Sequence, residues 1–259
     1  MKQRKLFSFF RPHPRPVIIT IHGYGRRRSH EMDNIVAWAE KENFDIIQFD
    51  LYDLFDEKDC DPKQWLSRAR KQVDIYIAQK RPIYLLGFSM GGVIASYLAS
   101  LYPVEKLVLV APAFIYLDMS KTAGYVKKGT RSLFHSDGKE KDVHVPKSFY
   151  PAFVEIIRNC RESIAHVDCP VLFLHGDADE VIPLKSSLSA YEKVTHEEKR
   201  LFILHEGHHH LLSEPKTANE CYQLILLFFK GEIVTKKRTF APDILDALRR
   251  QKQKKITDQ

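Results

Sequence analysis

The chain has 259 residues, of which 44% are hydrophobic and 28% are charged, close to the average for a soluble globular protein. This composition excludes a disordered chain, a collagen and a coiled coil, and a fold of this length needs no disulfide or metal to be stable. The formal net charge is +7. Because no nucleic-acid-binding motif accompanies the basic residues, we expect no nucleic acid partner.

Six short apolar runs alternate along the chain with amphipathic helical patterns. Runs that are apolar on both faces are typical of parallel strands buried between layers of helices. The predicted strands are Val17 to Ile21, Ile46 to Phe49, Ile83 to Leu86, Leu107 to Val110, Val171 to Leu174 and Leu201 to Leu204. This alternation predicts an α/β fold with a mainly parallel central sheet flanked by helices.

One connection, between Val110 and Val171, is much longer than the others. It contains a polar stretch at 120–145, followed by a helical pattern with one apolar face: Phe153, Ile156, Ile157, Cys160 and Ile164. It follows the carboxyl end of a strand, where open α/β sheets bind ligands. The segment is therefore either a small cap over a binding site or a surface excursion. We predict one α/β domain at 1–235 with a helical cap at about 112–168, and a basic tail at 236–259.

The ends of the chain and the cysteines indicate where the protein resides. The apolar run Leu6 to Phe10 is too short for a secretory signal, and Leu224 to Phe229 is too short to span a bilayer. The four cysteines are scattered and form no CxxC pair. We therefore expect a cytoplasmic protein with reduced thiols and no stable membrane insertion.

A serine motif follows the third predicted strand directly. A GxSxG pentapeptide places its serine on a tight turn between a strand and a helix, where the flanking glycines let the backbones pass closely. The strand ending at Leu86 leads into the motif, and the residues from Gly92 onwards open a helical pattern. This context favours a nucleophile elbow, with the motif formed by Gly87-Phe88-Ser89-Met90-Gly91.

A nucleophilic serine needs a base and an acid that orients the base. Acidic residues, Asp177 and Asp179, follow the fifth predicted strand, and a histidine-rich segment at 205–210 follows the sixth. Because parallel strands end at the same edge of a sheet, both groups are expected beside Ser89. The order serine, acid, histidine is the order found in α/β-hydrolases.

These segments resemble the serine esterases and lipases of the α/β-hydrolase superfamily, including carboxylesterases and monoacylglycerol lipases. The resemblance covers roughly residues 16–230. It rests on an HGxG loop at 22–25, the GxSxGG motif at 87–92, an HGxxDxxVP segment at 175–183 and an EGxxH ending at 206–210.

The resemblance implies a role for individual residues. Ser89 is the expected nucleophile, Asp179 the acid and His210 the base, and the backbone N–H groups of Tyr24 and Met90 form the expected oxyanion hole. The alternatives are Asp177 for the acid, which is otherwise expected to cap the turn, and His209 or His208 for the base. Three adjacent histidines on an irregular loop cannot all face one ion, so we expect no metal. No organic cofactor is expected.

The expected reaction is hydrolysis of a carboxylic ester through an acyl-enzyme, with a small-molecule acyl ester as substrate. A thioesterase or an acyltransferase would use the same three residues, and the fold does not separate these activities. A binding module without activity is the remaining alternative. The sequence selects neither an acyl chain length nor an oligomeric state.

Overall fold

The computed structural model describes residues 14–25, 28–42, 44–115 and 145–233. All six predicted strands form within these residues. They are β1 (Val17–Ile21), β2 (Asp45–Ile47), β3 (Ile83–Phe88), β4 (Lys106–Val110), β5 (Val171–Gly176) and β6 (Lys199–Leu204). They make one sheet in the order β2-β1-β3-β4-β5-β6, and every neighbouring pair is parallel. The predicted fold class is confirmed.

Helices cover both faces of the sheet. They are α1 (Arg28–Lys41), α2 (Pro62–Ala78), α3 (Met90–Ala99), α4 (Phe149–Cys160), a 3-10 helix (Arg161–His166), α5 (Lys185–Lys193) and α6 (Ala218–Phe229). Successive strand side chains point to opposite faces, so the strands supply two hydrophobic layers. Val17, Ile19 and Ile21 face the layer with α2, α3 and α4, whereas Ile18 faces the layer with α1 and α6.

The strand order reverses next to β1, and this reversal creates the crevice in which a site is expected. The chain passes from β1 to β2 on one side and then returns to β3 on the other side. In open α/β sheets, such a switch point opens a crevice beyond the carboxyl ends of the strands. Ile21 pairs with Gly87, so the loop after β1 lies beside the serine motif after β3.

The described part of the long insertion is helical. Helix α4 buries the predicted apolar face up to Cys160 and packs against α2 and α3, and the last residue of that face, Ile164, is buried in the 3-10 helix. Most of the predicted cap, residues 116–144, lies outside the described residues, as does the predicted tail at 236–259. The cap and domain boundaries therefore stay predictions.

Across the described segments, no helix has the length and hydrophobicity needed to cross a membrane.

Backbone contacts between α3 and the sheet leave no room for side chains at two glycines. A β-carbon on Gly91 would lie 2.0 Å from the carbonyl oxygen of Ile21, and one on Gly87 would lie 2.4 Å from the carbonyl oxygen of Gly91. Helix α3 therefore packs backbone to backbone against β1 and β3. These are the close approaches that the serine motif predicts.

We expect Gly91→Ala to lower the free energy of unfolding by about 3 kcal/mol or more, since the added methyl group meets backbone that cannot rotate away. Gly231→Ala is the matched control. Gly231 has φ +75, but an added β-carbon there would have its nearest neighbour, Lys106 Nζ, at 3.7 Å. Gly231→Ala is expected to lower the free energy of unfolding by about 1 to 2 kcal/mol, from backbone strain alone. Urea unfolding measures both variants, and equal losses would contradict the packing argument.

Candidate active site

Three side chains from three loops meet at the carboxyl edge of the sheet. Ser89 follows β3, Asp179 follows β5 and His209 follows β6. His209 Nε2 lies 3.3 Å from Ser89 Oγ, and His209 Nδ1 lies 2.8 Å from Asp179 Oδ2. An ionised carboxylate only accepts hydrogen bonds, so the proton of neutral His209 is on Nδ1. Nε2 is then the acceptor for the Ser89 hydroxyl.

The Ser89 backbone is held in a strained conformation. Its φ of 52 and ψ of −118 lie in a region of backbone conformation that is unfavourable for residues other than glycine. The Ser89 N–H donates to Val110 O at 2.9 Å, while Ser89 O accepts from the N–H groups of Gly92 and Ala113. Hydrogen bonds to β4, α3 and the loop after β4 therefore fix the turn, and the side chain stands at the beginning of α3.

The side chain of Asp179 is buried and accepts hydrogen bonds on both carboxylate oxygens. Oδ1 accepts from the backbone N–H groups of Val181 and Ile182, each at 2.8 Å, and Oδ2 accepts from His209. His175 Nε2 lies 3.3 Å from the same Oδ2. Burial alone would raise the pKa of Asp179, but His209 and these hydrogen bonds outweigh it and hold the pKa well below its usual range.

His175 was not among the residues predicted to form the site, although it opens the HGxxD segment. It is fully buried, with Nδ1 2.6 Å from Ser187 Oγ and Nε2 3.0 Å from Ile182 O. Its Nε2 contacts Asp179 Oδ2, the same oxygen that meets His209 Nδ1. This contact helps to hold the carboxylate in the orientation in which Oδ2 meets His209.

Asp177 has a different role from Asp179. Its Oδ1 accepts from the Glu206 N–H at 2.7 Å, and its Oδ2 lies 2.9 Å from His205 Nδ1. Asp177 thus ties the loop after β5 to the loop after β6, and it is Asp179 that contacts the histidine beside Ser89.

The prediction that His210 lies beside Ser89 is wrong, because the structure places His209 there. The His210 ring instead stacks against Phe88, with ring centroids 5.7 Å apart and an interplanar angle of 28°. His208 is exposed, and its Nδ1 lies 3.2 Å from Glu180 Oε2. The three consecutive side chains diverge, and only the middle one points to the serine.

A close contact between two glycines lies where the histidine loop passes the loop after β5. A β-carbon on Gly176, at the end of β5, would lie 1.9 Å from the carbonyl oxygen of Gly207. That oxygen also accepts from the Ala178 N–H at 3.1 Å. The path of the histidine loop is therefore set by its contact with the neighbouring loop, which a spacing motif within one segment does not encode.

The expected oxyanion donors, Tyr24 and Met90, lie in the loop after β1 and at the start of α3. Met90 is the first residue of α3, and the first amides of a helix have no acceptor within the helix. Tyr24 lies in the loop between β1 and α1, where its ring packs against Phe153 of α4 at 4.7 Å between centroids. Tyr52, which was not predicted from sequence, contacts this loop through its hydroxyl group.

Within the described ranges, no group of three or more His, Cys, Asp or Glu side chains is arranged to hold a metal ion.

Two comparisons with known proteins match parts of the sequence. A family model described as "Serine aminopeptidase, S33" matches residues 139–216, which contain Asp179 and His209. Mouse serine hydrolase BPHL is 28% identical over 167 residues, 58% of this chain and 57% of that protein. The chain thus spans a little over half the length of this curated relative.

Solved structures with a similar backbone cover most of the chain. Paleococcus ferrophilus monoacylglycerol lipase has a TM-score of 0.65 at 13% identity, covering 85% of this chain and 97% of the lipase. Mouse alpha/beta hydrolase domain-containing protein 10 has a TM-score of 0.64 at 21% identity, covering 83% of this chain and 90% of that protein. The chain has the α/β-hydrolase fold. The predicted resemblance to serine hydrolases of this fold is confirmed.

In this α/β-hydrolase fold, the depressed pKa of Asp179 predicts how stability changes in acid. The unperturbed carboxyl pKa is 3.8, and the folded-state value is lower. The charged side chain therefore stabilises the fold fully above about pH 4. This stabilisation is lost as pH falls toward the folded-state pKa, because the unfolded chain takes up the proton first.

We expect Asp179→Asn to remove this part of the pH dependence. The difference in free energy of unfolding between wild type and variant should be constant above about pH 5 and shrink between about pH 5 and pH 2. Urea unfolding across this range measures it, with the exposed Asp168→Asn as a matched control for adding an amide. A difference that stays constant would contradict the depressed pKa.

Proposed function

We propose that the protein is a serine hydrolase that cleaves carboxylic esters through an acyl-enzyme intermediate. The observation that carries the proposal is the chain of hydrogen-bonding contacts from Ser89 through His209 to Asp179, built on a strained turn at the start of α3. A serine with an adjacent base and an orienting acid is the arrangement that activates a hydroxyl for acyl transfer.

In the first step, Ser89 Oγ attacks the carbonyl carbon of the ester as His209 Nε2 takes the hydroxyl proton. Asp179 remains ionised, keeps the proton of neutral His209 on Nδ1 and stabilises the imidazolium that forms. The carbonyl oxygen becomes an oxyanion. When the tetrahedral intermediate collapses, the carbon–oxygen bond to the alcohol breaks, and His209 returns the proton to the leaving alcohol.

The oxyanion is stabilised in this proposal by the N–H groups of Tyr24 and Met90. Both are backbone donors, so the hole does not depend on the type of side chain at either position. Losing one such donor typically costs about 3 kcal/mol of transition-state stabilisation.

In the second step, a water molecule attacks the acyl group on Ser89 while His209 Nε2 takes a proton from it. The bond between the acyl carbon and Ser89 Oγ breaks, His209 returns the proton to Ser89, and the carboxylic acid is released. No metal or organic cofactor takes part in either step.

We also propose that residues 112–168 act as a cap over this site. Two ring contacts link α4 to residues near the predicted oxyanion hole: Phe153 lies 4.7 Å from the Tyr24 ring and Phe149 lies 5.2 Å from the Tyr52 ring. A movement of α4 would therefore reach the loop that holds the Tyr24 N–H. These two contacts favour the interpretation that the segment is a cap linked to the site, rather than a surface excursion.

The class of ester is tested with p-nitrophenyl esters from acetate to palmitate. We expect serine-dependent hydrolysis that Ser89→Ala lowers by at least about 10⁴-fold, because the nucleophile is gone. Ser96→Ala is the matched control: this buried serine lies on α3, and its hydroxyl donates to Gly92 O at 2.9 Å. Circular dichroism verifies that each variant is folded.

The same assay includes an acyl thioester and an aminoacyl p-nitroanilide. The thioester tests the thioesterase alternative, and the anilide tests the peptidase activity named in the matching family model. Activity on the thioester or the anilide alone would replace the ester assignment. Full activity of folded Ser89→Ala on every substrate would end the serine mechanism.

The identity of the base is tested by separate replacements in the histidine loop. His209→Ala is expected to lose activity about as severely as Ser89→Ala, since residues that act as one unit give similar losses. His208→Ala and His210→Ala are expected to keep kcat within about tenfold, because it is His209 Nε2 that lies 3.3 Å from Ser89 Oγ. A loss confined to His210→Ala would restore the base predicted from sequence.

A further inference from the structure

Tyr52 lies in the segment that follows β2. In the sheet, β2 lies on one side of β1, and β3, which leads to Ser89, lies on the other. The Tyr52 side chain is buried, with 3% of the residue exposed, yet the hydroxyl makes two hydrogen bonds to the loop after β1. It donates to Gly23 O at 3.0 Å and accepts from the Gly25 N–H at 2.8 Å. The hydroxyl therefore holds the backbone on both sides of Tyr24.

The first of these hydrogen bonds acts on the peptide group that carries the Tyr24 N–H. Gly23 C=O and Tyr24 N–H belong to the same planar unit, and no cis peptide bond occurs among the described residues. In a trans peptide the two bonds point in opposite directions. A donor that fixes the direction of Gly23 C=O therefore fixes the direction of the Tyr24 N–H.

A second donor reaches the same carbonyl oxygen. The Leu51 N–H donates to His22 Nε2 at 3.0 Å, so this nitrogen is unprotonated and the proton of neutral His22 is on Nδ1. His22 Nδ1 then donates to Gly23 O at 2.8 Å. Hydrogen bonds in series polarise one another, so two donors on the carbonyl also strengthen the N–H at the other end of the peptide as a donor.

Aromatic packing holds the Tyr52 ring in place. Its centroid lies 4.3 Å from Trp65 of α2, 5.2 Å from Phe149 of α4 and 5.0 Å from the His22 ring. Such contacts restrict the ring to one orientation. The hydroxyl is thus delivered to Gly23 O and the Gly25 N–H by a rigid side chain.

We propose that Tyr52 is a positioning residue of the oxyanion hole, whose hydroxyl group aims and polarises the Tyr24 N–H through the Gly23 carbonyl. The proposal rests on the serine hydrolase function proposed above. Tyr52 does not touch the substrate, and its effect reaches the reaction only through the peptide between Gly23 and Tyr24.

The test is Tyr52→Phe, which removes the hydroxyl and keeps the ring. We expect kcat on the preferred ester to fall about tenfold, less than the 100- to 1,000-fold loss on removing an oxyanion donor outright. KM should stay within about twofold. A trifluoromethyl ketone, which forms an oxyanion when Ser89 adds to it, should bind more weakly by the same factor as kcat/KM falls. Tyr191→Phe is the matched control. Its ring packs against Phe173 of β5, and its kcat and KM should equal those of wild type.

A second variant covers the case in which Tyr52→Phe does not fold. His22→Gln keeps an acceptor near the Leu51 N–H but removes the Nδ1 donor to Gly23 O. It is expected to show the same loss in kcat and the same parallel loss in trifluoromethyl ketone affinity. Thermal unfolding identifies which variants are folded.

Two outcomes would overturn the proposal. One is a folded Tyr52→Phe with kcat within twofold of wild type. The other is a loss of activity that appears in KM or in thermal stability with unchanged affinity for the trifluoromethyl ketone. If wild type itself has no Ser89-dependent activity on any substrate, it is the proposed function that has failed. Activity in wild type with no effect at Tyr52 refutes only the role of Tyr52.

Discussion

The close approach of three backbones, those of β1, β3 and α3, is the constraint on which the rest of the site depends. A β-carbon on Gly91 would lie 2.0 Å from the carbonyl oxygen of Ile21, closer than real β-carbons approach, so only glycine fits there. Because β1 and β3 flank the switch point of the sheet, this contact brings the start of α3 and the loop after β1 into one crevice. The strain in Ser89 persists because its backbone N–H donates to Val110 O and its carbonyl oxygen accepts from the N–H groups of Gly92 and Ala113, which together hold this conformation.

The fold could be predicted because its strands are apolar on both faces, a pattern that a buried parallel sheet imposes on sequence. The strand ends were less accurate, for a physical reason. β3 and β5 continue through Gly87 and Gly176, which pair within the sheet but add nothing to an apolar pattern. β2 ends at Ile47, before the predicted end at Phe49. Within the described residues it is an edge strand that pairs with β1 alone.

The residue types of the candidate site and their order along the chain were also readable, whereas the choice among adjacent histidines was not. Neighbouring residues on an irregular loop can point in any direction, and a spacing motif measures only distance along one segment. The direction depends on Gly207 meeting Gly176, a contact between two loops that are far apart in sequence. Tyr52 and His175 escaped prediction for the same reason, since each acts through a partner in a different segment.

These contacts explain why the short edge strand β2 matters to the site. It has three residues, too few to add much to the sheet, but it leads the chain to Leu51 and Tyr52 beside the loop after β1. Helices α2 and α4 then hold the Tyr52 ring through Trp65 and Phe149. The peptide between Gly23 and Tyr24, which would face an oxyanion, is therefore held by side chains that do not contact the substrate. Preorganised donors of this kind stabilise developing charge without reorganising during the reaction.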